Sequence, residues 1–184
     1  DITDGSQEIA SADPSYNLVS NAYDGASCGL ITLPGIPEIV IRGNGIEIID
    51  GATTHALETG QSFGAHQMNS GSQTNTFWIV NEGEGDLDIY GAIDIRSGSS
   101  GTANVYDDQF TVVQPASTTI SSGDSVSFTV TYAPIASGTH GRSTGGSGRA
   151  WFHVTSNDLD ESVYGVAIRG LGTAGGEFDC AQDP

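Results

Sequence analysis

Apolar and polar residues alternate with a period of two through much of the chain beyond residue 37. In "DLDIYGAIDI" (86–95), Leu87, Ile89, Gly91, Ile93 and Ile95 fall on one side, and Asp86, Asp88, Tyr90 and Asp94 on the other. "SVSFTVTY" (125–132) repeats the pattern with Val126, Phe128, Val130 and Tyr132 inward. This is the period of a half-buried strand, whose successive side chains point to opposite faces. "EIVIRG" and "IEIID" around the turn Gly43-Asn44-Gly45, "TNTFWIV" (74–80), "QFTVV" (109–113), "RAWFHVT" (149–155) and "SVYGVAIRG" (162–170) also read as strands. No useful length of chain carries a helical period. About eight short strands separated by turn formers predict an all-β antiparallel sandwich.

Residues 1–34 stand apart. "YNLVSNAY" and "GLITL" are β-forming patches too small to make a core, so this segment reads as an N-terminal extended arm. Residues 35–174 form the sandwich and 175–184 a C-terminal tail. Two Gly/Ser-rich loops interrupt the strands, at 96–104 and 137–149.

Four carboxylates and three glycines crowd into "IVNEGEGDLDIYG" (79–91). Its spacing is not that of an EF-hand loop, which needs alternating oxygen ligands and a bidentate Glu at the twelfth position. Nor do neighbours on one strand make a glycosidase pair, which must face each other across a cleft. A hairpin is predicted, with Asn81–Gly85 as the connection and Gly83 and Gly85 supplying positive φ. A weak surface Ca2+ site is the alternative.

Five pieces in order carry a family resemblance. They are "EIVIRGNGIEIIDGATT", "SFGAHQMNSGSQTNTF", "FWIVNEGEGDLDIYG", "FTVVQPASTTISSGDSVSFTVTYAP" and "SNDLDESVYGVAIRGLGT". Over residues 38–173 the chain resembles bacterial choice-of-anchor D domains, relatives of the ASPM/SPD-2/Hydin and major-sperm-protein-like immunoglobulin folds. The stretch 137–149 departs from the pattern, being long where the family has a short turn. The end "GEFDCAQDP" differs too, with no sorting or anchoring tail. The resemblance implies an immunoglobulin-like module, extracellular or on the cell surface, with no catalytic residue and no cofactor.

Charge narrows the partners. The chain has 23 acidic and 5 basic residues, a formal charge of -18, and no lysine. Such a surface repels phosphate backbones and anionic lipid, so neither nucleic acid nor membrane insertion is expected. Cys28 and Cys180 flank the strand-rich centre and read as a disulfide of an oxidising compartment; two buried free thiols are the alternative.

Candidate sites are few. "SNDLDES" (156–162) sets Asp158, Asp160 and Glu161 in one turn, where their oxygens suit Ca2+, against the plainer reading in which Asn157 and Asp158 only shape the turn. His55, His66, His140 and His153 have no metal-ligand spacing, and His153 is expected on an outer face. Trp78 and Trp151 each follow or precede an inward Phe, so both are expected outward, to be covered by packing or to stack on a sugar. No nucleophile elbow, phosphate loop or zinc motif is present. These features predict a secreted, non-enzymatic structural protein, a homo-oligomer or filament built by strand addition from its arm. An adhesin or glycan-binding module is the alternative.

Overall fold

The computed structural model describes residues 35–97, 109–140 and 150–175, all in the second of two units, Asp1–Pro34 and Gly35–Pro184. The described residues are all-β: an immunoglobulin-like sandwich of two main sheets. The first has the order β2 (Ile46–Glu47), β1 (Ile39–Gly43), β4 (Gln73–Asn81), β9 (Ser125–Tyr132) and β7 (Phe110–Val113), all antiparallel. The second runs β10 (Gly138–His140), β12 (Val163–Thr173), β11 (Ala150–Thr155) and β6 (Asp94–Ser97). On its other side β12 takes β3 (Ser62–Gln67) as a parallel partner. A short ladder joins β5 (Leu87–Asp88) to β8 (Thr119–Ile120).

The period of two does what the sequence predicts. Phe77 on β4 and Phe128 on β9 point inward and meet Phe152 of the second sheet, with ring centroids 4.9 and 5.1 Å apart. Burying such a ring stabilises the fold by roughly 1.5–3 kcal/mol. Leu87, Ile89, Ile93 and Ile95 are likewise buried, while Gly91 is exposed and turns the chain at φ +73°. At the turn after β1, Asn44 and Gly45 both have positive φ, as a two-residue hairpin demands.

Three expectations fail, each for a physical reason. Asn81–Gly85 does not join two strands of one hairpin: β4 lies in the first sheet, whereas β5 pairs β8 and β6 joins the second. Gly83 and Gly85 do not have positive φ. They are glycines because backbone packs on them: a Cβ would lie 2.3 Å from the Ile36 oxygen at Gly83, and 2.0 Å from the Gly35 oxygen at Gly85. Finally, β11 does not have one solvated face. Trp151 is 1% exposed and His153 2%, their rings stacked 6.4 Å apart on the side opposite Phe152 and Val154. Both faces of the sheet are covered at β11, so alternation in "RAWFHVT" marks two packed sides rather than one.

The long segment at 137–149 interrupts a strand line. β10 and β11 both pair β12 antiparallel, and between His140↔Gly170 and Ala150↔Ile168 the register jumps by eight residues. The insertion therefore enters within one side of a ladder, not at a turn between strands.

Candidate functional site

At the end of the sandwich where β1 begins, polar side chains replace strands as backbone partners. Glu82 N–H donates to Glu38 O, so in the β1–β4 ladder the alternate residues Ile39 and Ile41 turn their backbone groups away from β4. Asp158 Oδ2 accepts the Ile39 N–H at 2.7 Å. The Tyr164 hydroxyl donates to Ile48 O, while the Ile41 backbone hydrogen-bonds to that same phenol. Burial pushes the Tyr164 phenol up to about 12, opposed by that bond from Ile41.

Two asparagines, Asn81 buried and Asn157 half-buried, do similar work nearby. Asn81, 0% exposed, donates from Nδ2 to Gly85 O and Ile120 O, and its Oδ1 accepts from the Glu38 and Gly83 amides. Every hydrogen-bonding position of its amide is used. Asn157 reaches a different chain segment, accepting from Asp88 N–H at 2.8 Å and donating to Asp86 O at 3.0 Å. Its role is therefore a bridge to residues 86–88 rather than a local turn. Asp158 does shape its own turn, through a 3.3 Å bond from Asp160 N–H, but also holds Ile39.

These contacts assemble the site. Asp158, Asp160 and Glu161, adjacent in sequence, come together with Glu38 from the start of β1, one oxygen of each lying within 4.8 Å of the others. Asp158 is buried (1% exposed), Glu161 half-buried, and Glu38 and Asp160 exposed. Burial, then the neighbouring Asp160, Asp158, Glu38 and Asp50, raise the Glu161 carboxyl above the ordinary range. Burial, then Asp158, Asp160 and Glu82, raise Glu38. Glu161 Oε2 is buried and receives no hydrogen bond. Four oxygens this close fit a hard cation such as Ca2+, whose ~2.4 Å bonds span oxygen pairs up to about 5 Å apart. The same ion takes six to eight ligands, so these carboxylates would leave room for water.

Glu38 is the member that the sequence did not reveal. It lies 120 positions before Asp158, in a stretch where nothing but strand pattern shows. No sequence signal joins it to the turn: the link is the bond from the next residue, Ile39 N–H, to Asp158 Oδ2.

The other predicted residues separate. Trp78 is 43% exposed on the outer face of the first sheet, opposite Arg42 and Ser127 on its neighbours. Trp151 is enclosed and offers no ring to a ligand. The histidines do not join the carboxylates. His140 shares a 2.7 Å bond with the Tyr132 hydroxyl, buried at the other end of the core, and His66 bonds to Phe63 O. Cys28 and Cys180 lie outside the described residues. Among the described residues no helix is long and apolar enough to cross a membrane.

No family model matches the chain, and no curated protein does. Solved structures give distant likenesses. A Porphyromonas gingivalis W83 protein of unknown function is 14% identical over 75% of this chain and 47% of its own, with a TM-score of 0.44. The Vibrio cholerae VesB protease is 16% identical over 60% of this chain and 29% of its own, at 0.39. The seventh PapD-like (ASH) domain of human CEP192 is 13% identical over 89% of this chain and 97% of its own, at 0.36. The chain thus spans about half the length of the Porphyromonas protein (47%) and less of the protease (29%). The fold assignment rests on the strand pairing described above.

Proposed function

We propose that the chain is a non-enzymatic structural module of an extracellular or surface assembly, a choice-of-anchor D-like immunoglobulin domain that associates with its own copies by strand addition. The observation that carries this reading is how the sandwich manages its edges. Side chains of Asp158 and Tyr164 occupy the outward backbone groups of β1, and Asp50 and Gln61 those of β12. A protein that closes edges this way, yet carries 34 further residues with β-forming patches, has an element to donate. Donation from one copy to the next is a heterologous contact, and such contacts propagate when they do not close. A Cys28–Cys180 disulfide belongs to the same reading, fixing the arm's base in an oxidising compartment. Intact mass should show no alkylation of the native protein until a reductant is added.

Deletion of residues 1–27 tests the assembly. Light scattering and negative-stain microscopy should find assemblies of the full chain and monomers of the truncated one. Equal assembly of both, or a full chain that stays monomeric at every concentration, would sink the reading.

A second reading has its own observation. The exposed Trp78, beside Arg42 on the outer face of the first sheet, offers a ring on which a sugar could stack, which would make the chain a glycan-binding adhesin. A glycan array with wild type and Trp78→Ala decides it: saccharide binding lost on substitution supports the adhesin. The carboxylate cluster serves either reading as a weakly held Ca2+ site, not required for folding.

A further inference from the structure

Resting on the assembly reading above, we propose a second contact between copies: Leu159 and Asp160 of one copy seat in a pocket on β12 of the next, where Leu57 and Leu171 take the leucine and Arg169 takes the carboxylate. The pocket has a volume of about 390 Å3 and is lined by Leu57, Ser62, Ala65, Thr139, Arg169 and Leu171. Ladder register builds it. Leu171 lies between Thr139 of β10 and Ala65 of β3, and Arg169 lies beside Ser62. Ile168 and Gly170 are buried, so the alternation of a strand turns Arg169 and Leu171 outward. Leu57 is 71% exposed and Leu171 39%, which leaves the apolar wall facing solvent.

The cation in this pocket sets it apart. Among the described residues Arg42 pairs with Glu82 and Arg96 with Asp94, whereas the Arg169 guanidinium meets no carboxylate. The chain has 23 acidic residues against 5 basic ones, and none of the described acids answers this arginine. It is free to take a carboxylate from outside, in a charge-assisted pair beside an apolar wall.

The same molecule carries the complement. Leu159 is the most exposed large apolar side chain among the described residues, at 83%. Asp160 follows it, exposed, and shares its surroundings with Glu38, Asp158 and Glu161. Setting an arginine against that crowd of like charges favours the ionised carboxylates. A chain cannot fill its own pocket. The turn that carries Leu159 closes the end of the β11–β12 ladder where Thr155 faces Val163, and Arg169 and Leu171 lie six and eight residues further along β12. At ~3.4 Å per residue that is roughly 20–27 Å, spanned by one continuous strand. A contact between two different patches on successive copies is heterologous and propagates head to tail. One leucine and one ion pair bury far less than the ~1,600 Å2 of a standard interface. The contact therefore sets the orientation of a neighbour that the arm holds.

Charge reversal in the full chain tests the pair, followed by light scattering in EDTA so that no cation competes for Asp160. Arg169→Glu and Asp160→Arg should each raise the concentration needed for assembly at least tenfold. The double variant restores the pair in reverse and should return to within threefold of wild type. Leu159→Ser should weaken assembly as the single charge variants do. Single variants that assemble like wild type, or a double variant no better than either single one, overturn this contact while assembly by the arm stands. If wild type assembles at no concentration, this contact and the assembly reading fail together. Hydroxyl-radical labelling of wild type gives a readout that does not depend on any variant folding. Leu159 and Leu171 should label at least threefold less in assemblies than in dilute monomer, and equal labelling overturns the contact.

Discussion

Asp158 and Ile39, 119 residues apart, meet in a 2.7 Å hydrogen bond in which a buried carboxylate takes the place of a neighbouring strand. The bond ties the β11–β12 turn of one sheet to the first strand of the other. Asp158→Ala would leave the Ile39 amide buried and unanswered. Such a loss costs about 1–3 kcal/mol. A urea midpoint lowered by that loss divided by the slope, with the slope unchanged, is expected. Asp158→Asn keeps one carbonyl oxygen and should lose less. If Asp158→Ala unfolds at the wild-type midpoint, the contact does not hold the sheets together.

Asn81 makes a sharper test because its amide nitrogen and oxygen have different tasks. Nδ2 donates to Gly85 O and Ile120 O, and Oδ1 accepts from two amides. Asn81→Ala is expected to cost about 2–4 kcal/mol, several buried groups losing partners at once. Asn81→Asp, nearly identical in shape, should be as damaging, since a carboxylate oxygen would then face two carbonyls. Thermal melts of the two variants decide; an aspartate variant as stable as wild type would contradict the assigned orientation.

How far the sequence could be read follows from such residues. Period-two alternation placed Phe77, Phe128 and Val130 in the core because a strand's geometry is local. It misplaced Trp151 and His153 because alternation reports two faces without saying what covers the second. The acidic turn at 158–161 was visible as a run of carboxylates, but Glu38 joins it only through the long-range bond from Ile39 N–H to Asp158. Likewise Gly83 and Gly85 were legible as special, yet the reason was a close backbone approach rather than a turn, and the approaching backbone is 45–50 residues away.

The carboxylate cluster makes stability depend on pH. Glu161 titrates above the ordinary glutamate value of 4.5, first through burial and then through Asp160, Asp158, Glu38 and Asp50. An acid whose folded value is raised binds its proton more tightly in the folded state. Its contribution is present below the unfolded value and lost as pH rises through the folded one. The melting temperature should therefore rise as pH falls from 7 toward 5. The general charge of -18 acts in the same direction, so the informative comparison is Glu161→Gln, which should flatten the rise. Identical slopes for wild type and variant would show that the cluster contributes nothing.

Calcium gives the last test, with two parts that fail separately. The core is closed by apolar packing between the sheets, through Phe77, Phe128 and Phe152, and Ile39 is already held by Asp158 without an ion. A cooperative melt in EDTA is therefore expected. Added Ca2+ would meet four carboxylate oxygens within 4.8 Å of one another, and Glu161 also has a buried Oε2 that receives no hydrogen bond. An ion at tenfold its dissociation constant stabilises a fold by about 1.4 kcal/mol. For a domain of this size that is a rise of roughly 3–6 °C in melting temperature. Mg2+ should do less, because it demands a tighter octahedron and sheds water reluctantly. Asp160→Asn with Glu161→Gln should abolish the rise while leaving the EDTA melt cooperative. No shift at millimolar Ca2+ would mean that the cluster holds no ion. Loss of the folded state in EDTA would mean that the ion is structural.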